Sequence, residues 1–180
     1  MREIFQGALD MKKMFYWFLP LTWMGMIFYS SSTPYQEQDM KPLLSKYTDL
    51  SFLKPFLDSI TFTYHHSEVS VAALGVEGFI EYFIRKGAHV TVFLLLFLLI
   101  YIAFRKTTSL MLRTCIGWSF FITVLYASLD EVHQGFTPNR TPYFGDVLLD
   151  TIGAVIGVSF VYMYMFGKAR IGKKTNKASR

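Results

Sequence analysis

Residues Gly87 to Phe104 read GAHVTVFLLLFLLIYIAF, a run with no Asp, Glu, Lys or Arg. Coiled as a helix rising about 1.5 Å per residue, the run covers roughly 27 Å, close to the hydrocarbon thickness of a bilayer. Three more apolar blocks flank it: Met14 to Tyr29, closing at Ser30, Met111 to Leu129, and Val147 to Phe166. The reading is an all-α, polytopic four-helix transmembrane bundle forming a single domain over residues 1–180. Its spans fall at about 14–30, 87–104, 111–129 and 147–166. The first block is short, about 24 Å, so it leans on its terminal Trp and Tyr or on local thinning of the bilayer. Basic residues before it and small residues after it also fit a signal peptide, although no A-x-A site follows and bulky aromatics crowd its start.

Composition supports the membrane reading. The chain of 180 residues is 52% hydrophobic, 18% aromatic and only 17% charged, with mean hydropathy +0.32. Disordered, collagen-like and disulfide-stapled chains need low hydrophobicity, a glycine period or many cysteines, and none of these is present. Cys115 is the single cysteine, so no disulfide forms within the chain.

Charge placement sets orientation, because Lys and Arg resist translocation. Twelve of the eighteen bases lie in the N-terminus, in the loop from Arg105 to Arg113 and in the tail, residues 167–180, against two acids. The alternate segments hold six bases and eleven acids, so one side carries about +10 and the other about −5. Both termini are therefore expected in the cytoplasm, with the basic tail against anionic headgroups. Nucleic acid is not an expected partner, since no base-reading motif accompanies the tail. The outer segment, residues 33–81, mixes Leu, Phe and Ile with Lys and Asp as an interfacial helix broken near Pro55 would, and an irregular loop fits equally. From Val76 to Lys86 the pattern runs without Pro into the second span, which predicts a helix that starts outside the hydrocarbon.

The chemistry gathers in Tyr126 to Asp150, YASLDEVHQGFTPNRTPYFGDVLLD. Helical spacing puts Tyr126, Asp130, His133 and Gln134 on one face with Glu131 on its flank. Gly135 and Pro138 end that helix. Thr141 and Pro142 read as cap and first-turn residues of the next, which places Asp146 in its opening turns and Asp150 one turn deeper. Arg85, Lys86 and His89 sit at the same leaflet, at the mouth of the second span. A carboxylate inside the hydrocarbon costs about 2.5–3.5 kcal/mol on insertion scales unless paired or hydrated. Arg85, Arg140 and protonated His89 are thus expected to pair with Asp130, Glu131, Asp146 and Asp150 in one buried network.

Several chemistries compete for this set. Glu131, His133 and Asp146 or Asp150 could ligate a metal, but no H-E-x-x-H spacing supports one, so neither metal nor cofactor is expected. A nucleophile at Ser128 or Cys115 lacks a neighbouring base, Cys115 standing near the opposite leaflet. Acid–base catalysis by His133, Asp130 and Glu131 would need a bound substrate. No catalytic motif is secure. A headgroup site is the most economical reading, formed by Arg85, Lys86, His89, Asp130, Glu131, His133, Gln134, Arg140, Asp146 and Asp150. Gly153 and Gly157 form GxxxG, which permits close helix packing within the bundle or between copies in a homo-oligomer. Asn139-Arg140-Thr141 matches a glycosylation triplet, though Pro142 follows and a turn explains it.

The first span ending in Ser30-Ser31-Ser32, the RKGAH opening of the second, and LDEVHQGFTPNRTPYFGDVLLDTIGAVIG together resemble the VanZ-like family of bacterial membrane proteins. The most specific part is the DE-x-HQ, P-x-R and D-x3-D series with the upstream K-x2-H. In this chain it comprises Asp130, Glu131, His133, Gln134, Pro138, Arg140, Asp146, Asp150, Lys86 and His89. The resemblance implies a multi-pass protein of the bacterial cytoplasmic membrane and cell envelope, with membrane lipids and a lipid-linked cell-wall precursor as expected partners. Its founding members are linked to reduced teicoplanin susceptibility, and it implies no known reaction. A non-catalytic membrane scaffold is a third reading.

Overall fold

The computed structural model describes residues 2–47, 49–138 and 140–178. It is almost wholly helical. Four long helices, α1 (Arg2–Ser31), α4 (Val71–Thr107), α5 (Leu112–Gln134) and α6 (Phe144–Ala178), pack around one another. Between α1 and α4 lie two short α-helices, α2 (Lys41–Tyr47) and α3 (Lys54–Leu57), two single turns of 3-10 helix, Tyr35–Gln38 and Ser51–Leu53, and an antiparallel hairpin of β1 (Phe62–Tyr64) and β2 (Ser67–Val69).

Among the described residues, three helices are long and apolar enough to cross a membrane: α4, α5 and α6 over Phe144–Arg170. Their outward faces are apolar too, with Phe121, Leu125, Phe160 and Met163 exposed. Water would penalise such a surface, whereas acyl chains match it. The chain is therefore a multi-pass membrane protein. The middle of the bundle is largely apolar. Phe93, Leu96 and Ile100 of α4 meet Ile27 of α1 and Ala127 of α5, while Phe97 meets Ile116 and Ala154 lower down. Hydroxyls inside the bundle turn back on their own helices, as Ser119 donates to the Cys115 carbonyl and Thr123 to that of Ser119, which satisfies them without water.

Gly153 and Gly157 both face α4 of the same chain. A Cβ on Gly153 would lie 2.2 Å from the Val90 carbonyl oxygen, and one on Gly157 would lie 2.4 Å from Phe97 Cδ1. The GxxxG pair thus lets α4 and α6 approach within the bundle, and that face is already filled by a helix of its own chain.

Helix ends depart from the sequence reading in instructive ways. Helix α4 runs unbroken from Val76 into the apolar block, as its lack of Pro predicts. Gly75, at φ 72°, breaks the helix just before, a backbone state that glycine adopts without strain. Helix α1 extends well upstream of Met14, and α6 continues through most of the basic tail. Helix α6 begins at Phe144, later than Thr141 and Pro142 suggest. Pro142 packs so tightly on Gly135 that a Cβ there would sit 2.5 Å from Pro142 Cγ, and the Tyr143 amide is held by Glu131 instead of by a cap. Asn139, of the glycosylation triplet, lies outside the described residues.

The outer segment is not one interfacial helix broken at Pro55. Pro55 lies near the start of α3, where its missing N–H costs nothing, and α2 has ended well before it. Leu50, Val69, Val71, Val76 and Phe79 form a separate small core beneath α2, α3 and the hairpin. The hairpin turns on His65 and His66, both left-handed at φ 49° and 61°. That two-residue turn normally selects Asn-Gly, so composition alone hides it.

Candidate functional site

Helix α5 ends beside the C-terminus of α1, and this fixes the first polar group of the site. Asp130 is 3% exposed, yet Ser31 Oγ donates to its Oδ2 at 2.9 Å and Gln134 Nε2 donates to the same oxygen at 2.8 Å. Gln134 is in turn held by Arg140, whose Nη1 donates to Gln134 Oε1 at 2.9 Å. The other arm of Arg140 reaches the Thr33 carbonyl at 3.1 Å and Gln38 Oε1 at 3.0 Å. Its Nε is buried with no hydrogen-bond partner.

Gln38 joins this guanidinium to a second one. Arg85 donates to Gln38 Oε1 at 3.3 Å, to the Gln38 carbonyl at 2.8 Å and to Glu81 Oε1 at 2.5 Å. Glu81 is 1% exposed and lies one helical turn before Arg85, so the pair is an i,i+4 ion pair taken out of water. The two arginines therefore meet at Gln38 and line one space. A cavity of about 220 Å³ opens there between α1, α4 and α5, walled by Arg85, Arg140, His89 and Asp130 above Trp23 and Phe93. Burial and the facing Arg85 pull the Arg140 guanidinium below its usual pKa, against support from Asp130, Glu131 and Asp146. A positive charge under that penalty gains from an incoming anion.

A second polar group lies under the hairpin. Tyr64 on β1 donates to Asp146 Oδ1 at 2.5 Å, and Lys86 forms an ion pair with the same oxygen while its Nζ sits 4.5 Å from the Tyr64 ring centroid. Asp146 thus clasps α4, α6 and the hairpin together. Burial, then the Asp146 carboxylate, push the Tyr64 phenol above its ordinary pKa. A phenol whose folded pKa is raised gives stability that is complete below its unfolded pKa of about 10 and is lost as pH climbs toward the folded value. In a spectroscopic titration, Tyr64 is therefore expected among the tyrosines that ionise late, and Tyr64→Phe should reduce the late amplitude by one tyrosine. A late amplitude undiminished in Tyr64→Phe would contradict the clasp.

The remaining expected residues divide. His89 Nδ1 stands 3.3 Å from Asp150 Oδ1, and Asp150 is 1% exposed, so the deepest carboxylate has the cationic neighbour its position demands when His89 is protonated. Glu131 accepts the Tyr143 amide at 2.5 Å and shapes the turn into α6. His133 does not join Asp130. Its ring stacks on Phe28 at 4.0 Å between centroids, because α1 packs across that flank of α5 and Tyr126 is drawn to the Met24 carbonyl. Glu131 and His133 thus part company, and among the described residues no three His, Cys, Asp or Glu converge as metal ligands. Nor do the described residues join in a single acid–base network. Arg85 forms an ion pair with Glu81, which is not among the four expected acids, and among the described residues Gln134 links Arg140 to its carboxylate neighbour Asp130.

Glu81, Gln38, Ser31 and Tyr64 are absent from the site read off the sequence. Glu81 had a legible signal in its four-residue spacing from Arg85. Gln38 and Tyr64 had none, since folding of the outer segment brings them in.

These features define a multi-pass helical membrane protein whose buried charges collect at one end of the bundle. A family model described as VanZ/LLP1 matches residues 15–166, which takes in every residue of both polar groups, and the chain belongs to that family. Neither the curated proteins nor the solved structures contain a match to it.

Proposed function

We propose that the chain is a four-span protein of the bacterial cytoplasmic membrane that binds an anionic lipid or cell-wall precursor headgroup at its outward end. In this reading both termini are cytoplasmic. Helix α1 supports the fourth span: Trp17 donates to Thr107 at one end of α4, and Ser31 donates to Asp130 at the far end of α5, so α1 runs the depth of the bundle. The bias of bases toward the termini and the loop between α4 and α5 supports the orientation.

The observation that carries the binding reading is two guanidiniums, Arg85 and Arg140, bridged by Gln38 over one cavity. Guanidinium forks match phosphate and carboxylate geometry, and a half-buried cavity strengthens that attraction. Retention of a headgroup here would lower the engagement of a glycopeptide antibiotic such as teicoplanin at the cell surface. Arg140→Ala is expected to weaken retention of anionic lipid about a hundredfold, the scale of losing one desolvated charge contact. The same variant should raise teicoplanin susceptibility. Unchanged lipid co-purification together with unchanged susceptibility would defeat the proposal.

An acid–base enzyme acting on the same headgroup is a second reading, favoured by Asp130, which lines the cavity with Oδ1 buried and unpartnered. His133 stands aside from that wall. Asp130→Asn separates the readings, since it would abolish turnover in an enzyme while leaving the arginines to hold the ligand.

A further inference from the structure

The cavity adjoins a second one at its lower end. Trp23 and Met26 line it, and the same two side chains line a groove of about 310 Å³ that continues along α1 and α4. Phe18, Leu19 and Thr22 form one bank of this groove, and Leu95 and Leu99 form the other. Phe18 and Thr22 are four residues apart on α1, as are Leu95 and Leu99 on α4, so each bank is one stripe of a helix. No titratable side chain lines the groove. Trp23 is fixed at the junction by its indole N–H, which donates to the Val92 carbonyl at 3.0 Å.

We infer that the site takes a membrane-resident phosphoryl lipid, its phosphate at Arg85 and Arg140 and one hydrocarbon chain in the groove between α1 and α4, entering sideways from the bilayer. This inference rests on the headgroup reading and adds the class of ligand and its route. Two features select it. The groove and the arginine cavity adjoin at Trp23 and Met26, whose side chains line both, so a ligand with a polar and an apolar end has a fitting surface for each on either side of these two residues. Charge complementarity fixes which end is which, because both guanidiniums and the unpartnered Arg140 Nε lie at the upper end. From Ser30 down to Phe18 the path follows about 18 Å of helix rise, more than half of the hydrocarbon thickness. A tail-less phosphate would leave the floor of Ile27, Val92 and Phe93 uncovered. A chain covers it, each buried methylene adding roughly fourfold in affinity.

The three tryptophans make a direct test available. In full-length protein carrying Trp17→Phe and Trp118→Phe, Trp23 is the sole indole and stands where phosphate cavity and groove meet. The protein would be reconstituted in phosphatidylcholine vesicles doped with phosphatidylglycerol brominated on one acyl chain. Quenching of Trp23 should saturate at a mole fraction about tenfold lower than with brominated phosphatidylcholine. Thr22→Phe, which fills the groove and leaves both arginines in place, should abolish that preference. Aqueous glycerol phosphate should relieve the quenching only weakly.

If glycerol phosphate competes as well as intact phosphatidylglycerol, or if Thr22→Phe retains full preference, the groove has no part in binding while the headgroup site stands. If Arg140→Ala leaves the preference for phosphatidylglycerol intact, the headgroup reading itself falls. Should the single-tryptophan background not reconstitute, phosphatidylglycerol carried through detergent purification by the natural chain provides the same comparison. Equal retention by the natural chain and Thr22→Phe would then overturn the inference.

Discussion

Gly153→Leu is expected to destabilise the bundle by about 3 kcal/mol or more, the upper range for forcing side-chain volume into packed space. The obstruction is backbone, not a side chain that can rotate away. Even the first added carbon would sit 2.2 Å from the Val90 carbonyl oxygen and 2.9 Å from the Leu94 nitrogen. Helix α6 must then move off α4, which also separates His89 from Asp150 and Lys86 from Asp146. Gly25 supplies the control, since a Cβ there meets nothing within 4 Å. Gly25→Ala should be neutral or stabilising by up to about 1 kcal/mol through helix propensity. Thermal unfolding in detergent measures both, and equal midpoints for Gly153→Leu and the natural chain would contradict the packing described. Since Gly157 abuts Phe97 of its own chain, damage by Gly157→Ile is expected without any contact between copies.

Glu81→Ala is the second large effect. It removes an ion-pair partner of Arg85 and the acceptor of the Met40 amide together, at a site 1% exposed to solvent. Breaking a buried pair from one side costs about 3–5 kcal/mol, because the surviving charge keeps its desolvation penalty. Arg85 keeps its bonds to Gln38, so about 3 kcal/mol is the expected loss. The loss should be local. Residues 33–81 fold on their own small core, so limited proteolysis should open that segment in Glu81→Ala while α4, α5 and α6 stay protected. Glu81→Gln, which keeps an acceptor for Met40, should fall between. Identical cleavage of all three proteins would sink the claim that Glu81 ties the outer segment down.

Both effects concern residues whose importance is unevenly visible before folding. Gly153 and Gly157 announce close packing by their spacing, but only coordinates show that the neighbour is α4 of the same chain. Glu81 and Arg85 share a helical turn in any helix. Burial of that turn under α2 and the hairpin depends on contacts between segments far apart in sequence. His133 is the opposite case. Helical spacing sets it beside Asp130, yet Phe28 of α1 covers its ring and leaves it off the cavity wall.

The order of apolar and charged blocks by itself determined the helical membrane class, the positions of α4, α5 and α6, and the gathering of acids and bases toward one end. Those features follow from hydrocarbon thickness and from local helix periodicity, both of which act on neighbours in the chain. Tertiary structure alone decided which charges pair, that Gln38 bridges two arginines, that the outer segment carries a core and a hairpin, and that an apolar groove meets the polar cavity at Trp23. Each of these depends on how separate helices rotate and settle against one another. Packing energies summed over long-range contacts fix that rotation, and no short stretch of sequence contains them.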